Sequence, residues 1–398
     1  MNKLAIVVQR CHEDVVGGSE SLAWQYSVLL RDHYQVEVLT TTAIDASTWA
    51  NALPEGTEKR NGITINRFKV DQGRTPYWHA LHQRLLREFE YRKYAAMSSN
   101  NQRKQIPWTL ALQEEFIRKQ GPYSADLISF LLKHSYDYKA LIFLTYLFPT
   151  TYFGIPQCPK NRCLLVPTLH DEPPAYLSAY AVVARKVRLI LWNTEAELRL
   201  GTALWGELPG RIVGMGINTQ KYTPCRQKYP YLLYCGRIDL HKGCDQLIEY
   251  FLQYKKDNPS DLRLILAGKD EMGLPINPNI RYKGFVPEEE KFRLMTGATL
   301  FVTPSPYESL SIVTLEAMAQ RTPVLVNGAS EVLADHVLQS GGGMIYKNYA
   351  EFAEILNTLL VDQNRLSAMG TKAREYVVER CSFRYIENAL IDEIEMSK

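Results

Sequence analysis

The 398-residue chain lacks any apolar run near the roughly 20 residues that span a bilayer as a helix. Its longest apolar-rich stretch, "ALIFLTYLF" from Ala140, falls well short. The run Leu4 to Val8 stops at Gln9–Arg10, too early for the apolar core of a signal peptide, and reads as a buried strand. Cysteine is scarce: seven residues, an odd number spread from Cys11 to Cys381, which argues against a disulfide framework. Cys158 and Cys163 are the closest pair, and no second ligand pair accompanies them as a zinc site requires. They read as reduced thiols. Charge bias is missing too: the formal net charge of +3 gives no argument for nucleic acid. No Gly-x-Gly-x-x-Gly follows the first strand of either half, which disfavours a dinucleotide-dependent oxidoreductase. There is no P-loop, and no Asp-x-Asp pair to hold a divalent ion on a nucleotide diphosphate.

What is present is an ordinary globular composition, 46% hydrophobic and 22% charged, at a length suited to two domains. Continuous apolar strands alternate with helices along both halves. The first half carries strand patterns at 4–9, 36–41, 63–68, 140–147, 161–171, 187–194 and 211–218, with helical spacing over 21–33. The second carries strands at 231–236, 262–268, 280–286, 299–305, 323–328 and 343–347. Helices are expected there at 243–256, 287–296, 310–320, 349–360 and 363–379. Apolar strands alternating with helices imply parallel sheets covered on both faces, so the fold class is α/β with two doubly wound domains. The polar stretch "NTQKYTPCRQKYP" (218–230) is the natural boundary, giving domains 1–217 and 218–382. A helical insertion at about 77–123 is basic, through Arg84, Arg87, Arg92, Lys93, Arg103, Lys104, Arg118 and Lys119.

Ligands of doubly wound sheets sit beyond the carboxyl ends of the strands, and four stretches stand there. "GGSE" (17–20) opens a helix after the first strand; Gly17 and Gly18 permit close approach of an anion, or simply make a turn with Ser19 as cap. "TLHDEPP" (168–174) places His170, a group able to pass a proton, in a proline-fixed loop. "GRIDLHKG" (236–243) sets Arg237 and Lys242 on one Gly-bounded loop, an arrangement that neutralises a departing diphosphate. In "SPYESLSIVTLEAM" (305–318), Glu308 lies in a loop and Glu316 in the helix that follows. The N–H groups of Ser311, Ile312 and Val313 at the helix start would face an anion. A carboxylate accepts two hydroxyl hydrogen bonds, so both glutamates suit sugar diols. A paired-carboxylate hydrolase is the competing reading.

These stretches, in this order, resemble glycosyltransferase family 4, the retaining sugar-nucleotide transferases of the GT-B fold. "PSPYESLSIVTLEAMAQRTPVLVNG" is similar to the family's E-x7-E block. The resemblance runs nearly throughout the second half and rests on two short motifs in the first. It implies two Rossmann-like domains facing each other across a cleft, with the helix at 383–398 returning to the first. Arg237 and Lys242 would bind the donor diphosphate and, with His170 and Glu308, form the catalytic set. Glu316 would hold the ribose and Glu308 the transferred sugar. Leu310, Ser311, Ile312 and Val313 would contact the distal phosphate or sugar, Gly17 and Gly18 would face the diphosphate, and Phe285 and Val286 would flank the base. "GMGIN" (214–218) and "ASE" (329–331) depart from the family's usual turns, and the 77–123 insertion has no counterpart in it.

The implied activity is transfer, with retention, of a sugar from a UDP- or GDP-linked donor to a saccharide or lipid-linked saccharide, as in bacterial polysaccharide, lipopolysaccharide or glycolipid synthesis. No cofactor and no metal are expected. A sugar-nucleotide hydrolase or epimerase and a non-catalytic GT-B partner subunit are the alternatives. The expected location is cytoplasmic, with peripheral contact at the inner face of the membrane if the insertion lies on anionic lipid. Otherwise the insertion is a solvated hairpin with Trp78, Tyr91 and Trp108 packed inward.

Overall fold

The computed structural model describes residues 2–12, 17–98, 106–225 and 227–396, and of 93–98 the backbone alone. Arg103 and Lys104, and the side chain of Lys93, therefore lie outside the described residues. The chain divides into two compact units, Met1–Gly214 with Glu387–Lys398, and Met215–Ile386. The division falls just before the polar stretch at 218–230.

Among the described residues the first unit holds eight strands: β1 (Lys3–Val7), β2 (Gln35–Thr41), β3 (Gly56–Arg60), β4 (Ile63–Phe68), β5 (Ala140–Leu144), β6 (Cys163–Val166), β7 (Leu189–Trp192) and β8 (Gly210–Ile212). Their order is β3-β4-β2-β1-β5-β6-β7-β8, parallel except for β3 against β4. All five β5 residues are buried, as a central parallel strand requires. The exposed edge strand β3 has no apolar face, which is why its polar sequence "GTEKR" carries no strand pattern. Its hairpin is announced by Asn61–Gly62, whose φ of 51° and 80° suit a two-residue turn.

The insertion forms the helices Pro76–Ser98 and Leu110–Gln120. Trp78, Leu81, Leu85 and Phe89 recur on one helical face and enter the core of the first unit with Ile106, Trp108, Phe116 and Ile117. Trp78 and Trp108 thus pack inward, whereas Tyr91 does not: it is 76% exposed. The aromatic run at 145–154 is core as well, with Tyr146 and Tyr152 buried. Among the described residues no helix is long and apolar enough to cross a membrane.

The second unit is a six-stranded, wholly parallel sheet of β9 (Tyr231–Cys235), β10 (Arg263–Ala267), β11 (Ile280–Tyr282), β12 (Leu300–Thr303), β13 (Val324–Asn327) and β14 (Gly343–Tyr346). The order is β11-β10-β9-β12-β13-β14. Several elements are shorter than their apolar patterns. β6 stops before Pro167, which has no N–H for the ladder. The helix expected at 310–320 runs Ile312–Ala319, because Ser311 takes a left-handed φ of 59°. A helix absent from the sequence reading, Glu331–Ser340, starts on a Ser330 cap and ends at left-handed Gly341.

The last helix, Phe383–Glu395, begins in the second unit and ends in the first. Its later part is tied to the first unit by polar contacts: His33 to Glu387 at 2.9 Å, Tyr34 to Glu395 at 2.6 Å and Arg211 to Glu393 at 3.1 Å.

Candidate functional site

The strand ends of the second unit are built by glycines. Gly236 and Gly268 have φ of 147° and 140°, and a Cβ on Gly268 would lie 1.8 Å from the Gly236 carbonyl oxygen. Only glycine lets β9 and β10 finish this close together. Gly243, also left-handed, packs against the end of β12, where a Cβ would sit 2.7 Å from the Pro304 carbonyl oxygen. The loop 236–243 is thereby folded back onto the loop after β12. Lys242 Nζ consequently donates to Glu308 Oε1 at 2.6 Å. Asp239, buried, braces the same loop: Oδ1 accepts the Lys242 N–H at 2.8 Å, and Oδ2 lies 2.8 Å from Arg237 Nε.

Leu310 and left-handed Ser311 lead into the Ile312–Ala319 helix. The first N–H groups of a helix have no acceptor within it and carry the positive end of its dipole, so this turn attracts an anion. Ser311 Oγ meets Thr314 Oγ1 at 2.9 Å, and Thr314 Oγ1 meets Thr303 Oγ1 at 2.7 Å, joining the turn to β12. Buried His336 holds it from the other end. Burial lowers its proton affinity, so the neutral ring donates from Nε2 to the Leu310 carbonyl at 2.9 Å and accepts the Tyr376 hydroxyl at Nδ1, 3.0 Å away.

Glu316 points inward and is 9% exposed. Burial raises its carboxyl above the usual range, opposed by the Lys291 ammonium. That ammonium lies 2.8 Å from both oxygens, yet only Oε1 accepts a directed hydrogen bond. Each glutamate of the pair therefore has its own lysine, and neither lysine lies near its glutamate in sequence. Phe285 is 89% exposed and Val286 half-buried, on a loop pinned to the end of β10 by Gly268 N–H to Gly284 O at 2.7 Å. If Phe285 flanks a base as the resemblance implies, Phe285→Ala should weaken nucleoside diphosphate binding about tenfold, the value of one aromatic stacking contact, and leave the melting temperature unchanged. Isothermal titration checks it.

Gly17, Gly18 and His170 belong to the first unit. Gly17 is extended, and a Cβ there would lie 2.2 Å from Glu20 Oε2. That carboxylate is fixed by Arg10 at 2.6 Å, Gln9 at 2.9 Å and Ser19 at 2.9 Å. Ser19 is thus not the helix cap; Gly17 occupies that position without a side-chain bond. A Cβ on Gly18 would meet nothing within 4 Å, so its face is open to a ligand. His170 is half-buried in the loop after β6. Glu197, fully buried, holds that loop: Oε1 accepts the Leu169 N–H at 2.6 Å and Oε2 the Asn193 N–H at 2.5 Å. Burial pushes its carboxyl up to about 7. Tyr176 and Tyr146 donate to the neighbouring Asp171 and Glu172 at 2.6 and 2.8 Å.

Asp239, Lys291, His336 and Glu197 were not singled out in the sequence. Asp239 stands inside "GRIDLHKG", and Thr194-x-x-Glu197 has the form of a capping box, so two of the four had a signal. Among the described residues no group of three or more histidine, cysteine or carboxylate side chains is placed to hold a metal.

Residues 218–376 match the model of the family described as glycosyl transferases group 1. The alpha-maltose-1-phosphate synthase of Mycolicibacterium smegmatis is 28% identical over 189 residues, 41% of this chain and 47% of that one. D-inositol 3-phosphate glycosyltransferase 1 of Catenulispora acidiphila is 27% identical over 238 residues, 52% of this chain and 57% of that one. The chain thus spans about half the length of the curated relatives it matches. Among solved structures, HepE of Anabaena in complex with UDP superposes with a TM-score of 0.71 at 16% identity, covering 100% of each chain. The fold is the GT-B fold, and residues 218–376 of the chain are similar to the family of glycosyl transferases group 1.

Proposed function

We propose that this protein transfers a sugar, with retention, from a UDP- or GDP-linked donor to an acceptor hydroxyl. The observation that carries the reading is the strand-end cluster of the second unit. Lys242 and Glu308 are 2.6 Å apart, and the chain runs from Glu308 into the Ile312–Ala319 helix start. Lys242 has three donors and uses one on Glu308, leaving two for a diphosphate. Arg237, 57% exposed at its side chain, is available to the same group. As the glycosidic bond breaks, negative charge grows on the departing diphosphate. Donors already in place stabilise it without reorganisation. Two guanidinium and ammonium charges and a helix start supply what a divalent ion supplies elsewhere, so transfer should proceed without added metal. Glu308 accepts hydroxyls of the sugar and Glu316 those of the ribose. The leaving phosphate oxygen takes the acceptor proton, which removes the need for a protein nucleophile. His170 lies on the acceptor side. The acceptor is a saccharide or lipid-linked saccharide in cell-envelope polysaccharide or glycolipid synthesis, with the enzyme at the cytoplasmic side.

A thermal-shift screen of nucleoside diphosphates and their sugars tests this. A binder at 100 times its Kd stabilises by about 2.7 kcal/mol, a rise of several degrees. No shift with any of them would remove the donor-site reading.

A further inference from the structure

We propose that Arg74 binds a phosphate group carried by the acceptor, which makes the acceptor a phosphorylated saccharide or a lipid-linked one. The last clause rests on the sugar-transfer reading above; the phosphate site does not.

Arg74 lies in the first unit, in the loop that enters the Pro76–Ser98 helix. Its guanidinium sits over the Trp78 ring at 4.5 Å and the Trp49 ring at 5.8 Å. Both indoles are buried, and Arg74 itself is half-buried. Among the described residues it has no ion pair and no hydrogen bond, and its Nε is buried without a hydrogen-bond partner. A cation removed from water without a carboxylate is costly. Cation–π contact with two indoles offsets part of that cost and does not use the N–H donors of the fork.

The charged groups around it do not supply the missing partner. Asp45 is the acid that acts on it, but its oxygens are taken up by the N–H and hydroxyl groups of Ser47 and Thr48 at 2.5–2.9 Å. Those bonds hold Asp45 well below the usual carboxylate range. Arg10, also 5.8 Å from the Trp49 ring, adds a second positive charge, and it is already matched by Glu20. His82 stacks on Trp78 at 4.8 Å, and burial together with Arg74 lowers its proton affinity; His79 stands edge-on to the same indole. Among the described residues Asp45 is thus the one carboxylate that acts on Arg74, and it spends its oxygens on Ser47 and Thr48.

It is also rigid. Gly73 presses on the Thr48 carbonyl, where a Cβ would lie 2.2 Å away, and Trp49 donates its indole N–H to Gln120 O at 2.8 Å. Arg10 continues to the start of the first helix: its Nη2 lies 3.4 Å from where a Gly17 Cβ would be. Beyond it is Gly18, whose open face was assigned to the donor side. An anion on Arg74 would therefore lie near, but off, that helix start. A forked guanidinium held beside two indole rings matches the oxygens of a phosphate better than a point charge does.

The test titrates inorganic phosphate into full-length protein carrying Arg237→Ala and Lys242→Ala, which removes the cations of the second unit. That protein should still bind phosphate, seen by calorimetry, and adding Arg74→Gln should weaken the binding more than tenfold. Arg74→Lys, which keeps the charge and loses the fork, should give an intermediate affinity and guards against a folding defect in the glutamine variant. Vesicles of phosphatidylglycerol against phosphatidylcholine form the second arm. Arg74-dependent capture by the anionic vesicles alone, with no response to free phosphate, assigns the group to a lipid; response to free phosphate assigns it to a soluble or saccharide-borne one. Absence of both responses, or responses equal with and without Arg74, overturns the proposal. Since no nucleotide is present, failure here leaves the donor reading standing, and failure of the thermal-shift screen leaves the phosphate site standing.

Discussion

Lys242→Ala is expected to lower kcat for sugar transfer by about 10²–10³, the loss typical of removing one preorganised donor from a developing anion. The substitution acts twice. It takes away an ammonium that would meet the diphosphate, and it leaves Glu308, 14% exposed at its side chain, without its counter-charge at 2.6 Å. Glu308 then adds repulsion where negative charge must grow. Glu316→Ala should behave differently. Its proposed partner, the ribose, is bound equally in the ground and transition states, so KM for the donor should rise at least tenfold with a smaller change in kcat. The Lys291 ammonium, 23% exposed and left without its partner, should also depress the melting temperature. Steady-state kinetics on both variants, with donor and acceptor varied separately, checks the pattern. Full transfer activity in both would end the assignment.

Glu197→Gln should abolish a pH dependence of stability that the parent protein shows. Glu197 is fully buried and its carboxyl is pushed from 4.5 up to about 7, chiefly by burial and against the backbone N–H bonds it accepts. An acid held above its unfolded value keeps its proton in the folded state over the window from about 4.5 to 7, and loses it on unfolding. Stability from this group therefore falls as pH rises through that window and is flat above it. The change is about 3 kcal/mol, large against the 5–15 kcal/mol of a typical domain. Urea unfolding at pH 5 and pH 7.5 measures it. Every other titrating group is common to parent and variant and cancels in the difference, so equal slopes in the two proteins would refute the account. The consequence for function follows from geometry. The same carboxylate joins the Leu169 and Asn193 N–H groups, so it fixes the loop that presents His170.

The core strands were legible because parallel strands buried on both faces are near-continuously apolar, as β1, β5, β9 and β12 are but for Lys3 and Thr303 at their ends. Edge strand β3 was not, since a strand open to water needs no such pattern. The helix Glu331–Ser340 went unread although Ser330 caps it. In the insertion Trp78 and Trp108 pack inward as the hairpin reading expected, whereas Tyr91 lies off the buried stripe of Trp78, Leu81, Leu85 and Phe89 that only the structure shows.

The strand-end glycines and the charged residues beside them were also visible in one dimension. Left-handed turns and near-contact of backbones leave glycine as the fitting residue, so "GRIDLHKG" announces a crowded strand end by itself. Which charge meets which was not visible. Lys242 and Glu308 are 66 positions apart, Lys291 and Glu316 25, Leu310 and His336 26, Leu169 and Glu197 28. Coulomb attraction and hydrogen bonding act over about 3 Å and depend on angle as well as distance. Those distances exist only after separate strands and helices have packed. Residue order alone thus determined the α/β class, the periodicity and the chemistry available at the strand ends; tertiary packing decided which of those groups are paired, and which, like Arg74, are left with donors free.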